Sequence, residues 1–163
     1  MDAGRQKYVA REFIRRLTAL SENQLAFKEA LHEFALSSPD VRTEVVTGLL
    51  TIGEDYSEPA FHRGFAFCVL SMIVRTCGLL QDEELEERLC SMLVRPTLER
   101  QISSASADGA AAAERQQILK GALLALIAVN RPLGLARLDH LIERHSGSDF
   151  ARQLRELRLN ASP

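Results

Sequence analysis

Apolar residues recur every three to four positions along most of the chain, and few segments alternate as a half-buried strand would, so the pattern predicts an all-α protein. The first predicted helix covers residues 5–20, with Val9, Phe13, Leu17 and Leu20 on one face and Ala10 and Ile14 at its flank. Lys7, Arg11 and Arg15 form an i, i+4 stripe on the opposite side. Ser21 and Gln24 have capping-box spacing and open a second helix near 22–36, with Leu25, Leu31 and Phe34 toward the core. In the third, over 39–52, Ser38 supplies the cap, Pro39 and Asp40 the first turn, and Gly53 the stop.

Pro59 opens a fourth helix that reaches about Cys77, with Gly78 as its C-terminal cap. The run Phe65 to Leu70 is apolar on every side, so this helix is expected to be buried around most of its circumference. Asp82 caps a fifth helix through about Val94; Pro96 breaks it, and a short helical piece follows to Ile102. Residues 103–112, SSASADGAAA, predict a flexible loop, with the alanines free to join the next helix. A sixth helix covers 111–129, a seventh runs from Pro132 to His145, and Gly147 separates it from a last helix carrying Phe150, Leu154, Leu157 and Leu159.

Grouped by turn length, these seven to eight helices form three αα-hairpins: 22–36 with 39–52, 58–77 with 82–94, and 111–129 with 132–145. Their starts are separated by 36 and 53 residues, so any repeat is irregular. Within the first hairpin, Asp40-Val41-Arg42, then Val45, Gly48, Leu49, Ile52 and Gly53, resembles the second helix of a HEAT repeat. The resemblance spans about fourteen residues and does not recur in the other hairpins, where Asp82-Glu83-Glu84 and Pro132-Leu133-Gly134 stand instead. It implies an α-solenoid, in which the Asp and Arg would belong to ladders between repeats. A compact helical bundle is the competing architecture.

At 163 residues the chain fits one domain, 1–163, with a real core. The net charge of −2 is too small to draw nucleic acid by bulk electrostatics. Charge is nonetheless uneven. Residues 1–16 hold five cations against two carboxylates, whereas residues 81–100 hold six carboxylates against three arginines. No apolar run approaches a bilayer's thickness, so no transmembrane segment is expected. Three cysteines without a CxxC pair, and an N-terminus lacking the apolar core of a signal peptide, point to the cytoplasm.

Candidate chemistry is sparse. Glu29-x-x-His32 has the spacing of a di-iron ligand pair but no second copy, and His140 and His145 diverge on a helix, so no metal is expected. Cys68, Cys77 and Cys90 sit in apolar runs unsuited to a reactive thiolate. No nucleophile elbow, P-loop or other phosphate cradle occurs, and nothing calls for a cofactor. Two polar groupings stand out. Lys7, Arg11 and Arg15 are candidates for binding an acidic partner, and Tyr56, His62 and Arg63 are candidates for lining a ligand pocket at a helix start. The sequence thus points first to a non-enzymatic protein–protein interaction or scaffold module. The alternative is a helical bundle, enzymatic or not, that binds a small molecule in an apolar pocket between helices 4 and 6. A homo-oligomer whose helices serve assembly is the third reading.

Overall fold

A computed structural model describes residues 2–55, 57–77, 82–93 and 109–161. Among these residues there are eight helices and no strand: α1 Ala3–Ala19, α2 Gln24–Ala35, α3 Pro39–Glu54, α4 Ala60–Cys77, α5 Glu83–Leu93, α6 Gly109–Val129, α7 Arg131–Arg144 and α8 Asp149–Ala161. The protein is all-α, and none of the described helices is long and apolar enough to cross a membrane. Tyr56, Gly78, the Pro96 piece and residues 103–108 of the expected loop lie outside the described residues. Residues 109–112 of that loop already belong to α6.

Local chemistry sets most of the helix starts. Ser38 Oγ accepts the Val41 N–H and Pro39 sits in the first turn of α3, as the sequence suggests. Asp82 caps α5 by accepting from the Leu85 N–H, and Ser148 caps α8 by accepting from Ala151. The α2 cap is Asn23 rather than Ser21: its Oδ1 accepts the Ala26 N–H at 3.1 Å. Gly53 does not stop α3, which continues to Glu54. That glycine is buried in the helix, and a Cβ there would stand 2.5 Å from the Phe67 ring. Its role is to make room for an aromatic side chain.

The core is built around α4 and α6, which share the most extensive face among the described helices. Ala66, Phe67, Val69, Leu70, Ile73 and Val74 of α4 are sealed from solvent, as are Leu119, Ala122, Leu123, Ala125 and Leu126 of α6. The two backbones meet where Gly64 faces Gly121. A Cβ on Gly121 would come within 2.9 Å of the Gly64 carbonyl oxygen. The other helices pack around this pair: α2 and α3 against α4, α5 and α7 against α6, and α8 against α7. The short turns join the helices in the expected order, but α3 gives its main faces to α1 and α4 rather than to its hairpin partner α2.

Helix α1 lies across α3 on a small-residue contact. Gly48 admits the Gln6 carbonyl and the Ala10 methyl so closely that no Cβ fits between them. Ala10 is therefore fully buried at the centre of the α1 face, where the periodicity places it at the flank. Leu25, expected in the core, is exposed, because Phe27, Ala30, Leu31 and Phe34 carry the inward i, i+3, i+4, i+7 stripe of α2. Polar bridges fasten the periphery. Arg42 of the HEAT-like segment donates to the Ala35 carbonyl at the end of α2, and Arg88 forms a two-pronged pair with Glu54. Asn130 caps α7 and donates to Glu86 of α5, so part of the acidic Asp82–Glu87 stretch is structural.

Candidate functional site

The basic stripe of α1 does not stand free. Lys7 pairs with Asp55 and, at 3.4 Å, with Glu58, while Arg11 also pairs with Glu58. The Glu58 side chain is only 9% exposed, so these carboxylates form a partly desolvated anchor between α1 and the α3–α4 link. Arg15, one turn further on, makes an i, i+3 pair with Glu12 and leaves 78% of its side chain exposed. Two of the three partner-binding candidates thus hold α1 in place, and the third faces solvent.

The electrostatics of the anchor follow from its geometry. The Lys7 ammonium, with Ser57 donating from its hydroxyl and backbone N–H, holds Asp55 well below the usual carboxylate value of 3.8. The same Asp55 bond, with Glu58 adding to it against partial burial, raises Lys7 above its usual 10.5. Stability from a depressed carboxylate is present above its unfolded-state pKa and is lost as pH falls toward the folded value. Stability from a raised ammonium is present below 10.5 and is lost as pH rises past it. Urea-unfolding midpoints should therefore drop below about pH 4, and Asp55→Asn should be less stable than wild type at neutral pH but show a shallower acid limb.

The pocket candidates diverge. His62 is exposed on α4, whereas Arg63, about 100° further round the helix, turns inward and is 5% exposed. Arg63 Nε donates to the Gly53 carbonyl at 2.8 Å, so its guanidinium meets the negative end of α3. That residue is a structural strut between α3 and α4. Tyr56 lies outside the described residues.

His62 instead joins Arg11 and Arg15 along one groove. Ile14, Thr18 and Ala19 of α1 form one wall, Phe61 and Phe65 of α4 the other, and Ile52 of α3 lies beneath, around a volume of about 590 Å³. Phe61 is 76% exposed and its ring stacks nearly parallel to Phe65, at 6.0 Å between centroids and 10° between planes. The structure thus brings together residues that the sequence assigns to two unrelated sites. It adds Phe61 and Phe65, whose i, i+4 spacing is visible in the chain, whereas the exposure of Phe61 and the half-burial of Phe65 are not.

A second recess, about 760 Å³, lies on the other flank of α1 between Val9 and Phe13, Phe34 of α2, and Val41 and Val45 of α3. Arg16 and Glu33 bridge α1 and α2 beside it at 2.6 Å, and Phe13 packs on Phe34. A third, about 160 Å³, separates α3 from α5. Glu29 and His32 are exposed on α2, and among the described residues no group of three or more His, Cys, Asp or Glu gathers as metal ligands would.

The cysteines are free and half-buried, and burial is the largest cause raising each thiol above its usual 9.0. Lys120, Arg42 and Arg137 offset this only partly at Cys68, Cys77 and Cys90 respectively. Native protein should therefore react slowly with an aromatic disulfide reagent, and urea-unfolded protein rapidly. Fast labelling of one native cysteine would reveal an accessible thiolate that this packing does not allow. No family model, curated protein or solved structure matches this chain.

Proposed function

We propose that this chain is a non-enzymatic protein-interaction module, cytoplasmic, with a helical scaffold that presents the α1–α4 groove to another protein. The observation that carries the reading is exposed Phe61, stacked on half-buried Phe65 beside an apolar recess. A single exposed apolar side chain is ordinary on a protein surface. An aromatic pair continuous with a concave apolar lining is the form a binding hot spot takes. The three free thiols support a reducing compartment. The HEAT-like pattern of α3 supports the same reading, because helical-repeat scaffolds recruit other chains through their helix faces.

The small-molecule alternative places its pocket between α4 and α6. The backbones of those helices touch at Gly64 and Gly121, and the flanking side chains are sealed. The proposed groove lies instead between α1 and α4, with Phe61 standing in solvent at its edge.

Co-purification with tagged protein tests the proposal when wild type, Phe61→Asp and Leu159→Asp are compared by mass spectrometry. Both substituted residues are highly exposed, so the folds should be equally preserved. The expected result is a protein retained by wild type and by Leu159→Asp but lost with Phe61→Asp. Identical retention by all three chains would sink the groove as the recognition surface.

A further inference from the structure

The charged groups lining the α1–α4 groove are of one sign. These are Arg11 and Arg15, both on the α1 side, and no carboxylate is among the lining residues. The nearest acids are already engaged, though unequally. Glu58 is held by Lys7 and Arg11 with little exposure, whereas Glu12 meets Arg15 through an exposed i, i+3 pair. Pairs of that exposed kind are weak, so a partner's carboxylate can take over Arg15 at little cost.

Resting on the reading of this groove as an interaction surface, we infer that its occupant is an amphipathic helix of a partner protein, acidic along one edge. Apolar residues at i, i+3 or i+4, and i+7 would sit over Ile14, Phe65 and Phe61, and Asp or Glu on the edge of that stripe would face Arg15, while Arg11 stays held by Glu58. Two helical walls with an apolar floor accept the side-chain stripe of a third helix by the packing that joins the protein's own helices. An extended peptide gains most from pairing with a sheet edge, and the described residues contain no strand.

In a second copy of this chain, neither α5 nor α8 is a matching helix. The acidic helix α5 has its apolar residues Leu85 and Leu89 buried against its own core. The edge of α8 near exposed Leu159 mixes Arg152 and Arg155 with Glu156, and Leu159 has no second exposed large apolar residue on that helix to complete a stripe. A membrane surface could engage exposed Phe61 but would leave the recess floored by Ile52 unfilled, whereas a helix fills both.

The test is selection from a displayed library of helical peptides on the full chain, counter-selected on Phe61→Asp. Enriched peptides should carry the i, i+3/i+4, i+7 apolar stripe with Asp or Glu beside it. Their affinity should fall at least tenfold on Arg15→Glu, less on Arg15→Gln, and should weaken with rising salt. Far-ultraviolet circular dichroism and urea midpoints equal to wild type establish that these exposed-site variants are folded. Phe61-dependent peptides that are neutral, basic or proline-rich would overturn the inference, as would affinity indifferent to Arg15→Glu. Failure to enrich any Phe61-dependent peptide would do so too, as would Phe61-dependent binding to phosphatidylserine vesicles in place of peptides. If Phe61→Asp loses a co-purifying protein while the selected peptides lack acidic residues, the interaction module stands and the acidic helix falls. If Phe61→Asp changes neither readout, both fall.

Discussion

Gly48→Ala is expected to destabilise the protein by about 1–3 kcal/mol, although alanine is the better helix former by about 1 kcal/mol. The added methyl would overlap the Gln6 carbonyl oxygen and lie 2.8 Å from the Ala10 methyl. A backbone carbonyl cannot rotate away as a side chain can, so α1 must lift from α3. Lifting α1 also strains the Lys7–Asp55 and Arg11–Glu58 pairs and moves the Ile14 wall of the groove. Gly4→Ala is the internal control, because the nearest atom to its added methyl is an Asp2 carboxylate oxygen at 3.5 Å. It should be neutral or stabilising by up to about 1 kcal/mol. Urea-unfolding midpoints at constant m-value measure both. A Gly48→Ala protein as stable as Gly4→Ala would mean that α1 does not seat on α3 as described.

That crossing also marks the limit of what the chain discloses. Helix starts depend on side chains acting over three residues, so Ser38 with Pro39 and Asp82 are readable directly. Ends are less so: Gly53 carries a stop signal but is used for clearance around Phe67, a contact with another helix. Small residues are silent in a hydrophobic pattern, so Ala10 reads as a flank although it is the centre of the α1 contact. Charge type misleads in the same way at Arg63, which reads as part of a polar cluster and is folded inward onto the Gly53 carbonyl. The continuous apolar run that follows it is the one hint that its surroundings are buried.

The groove shows the same division. Arg11 and Arg15 are visible as a stripe and His62 as part of a helix start, each from local spacing alone. Their convergence depends on α1 lying across α3 toward α4, and on Glu58 reaching back 47 residues to Arg11. No local pattern encodes that. What spacing does supply is the inventory: an i, i+4 cationic series and an i, i+4 aromatic pair, the two sets of side chains that line this surface.

Phe67→Ala is expected to cost about 3–5 kcal/mol, a large share of the roughly 5–15 kcal/mol by which a domain of this kind is stable. Phe67 is wholly enclosed, with its ring over Gly53 of α3 and its Cβ against the α6 backbone at Gly121. It therefore ties its own helix α4 to two others of the core, α3 and α6. Neither glycine has a side chain to swing into the space, and the close crossing of α4 on α6 limits collapse, so the cavity term should persist. Phe61→Ala, six residues earlier on the same helix, should change stability by no more than about 0.5 kcal/mol because that ring stands mostly in solvent. Their functional effects should run the other way. Phe61→Ala should lose groove-dependent binding in a fully folded protein, whereas Phe67→Ala should keep binding at temperatures where it remains folded. Unfolding midpoints and retention of the Phe61-dependent partner, measured on the same two proteins, separate the aromatic that builds the fold from the one the fold displays. Comparable stability losses at both sites would mean that Phe61 is packed, and the groove would lose its exposed aromatic wall.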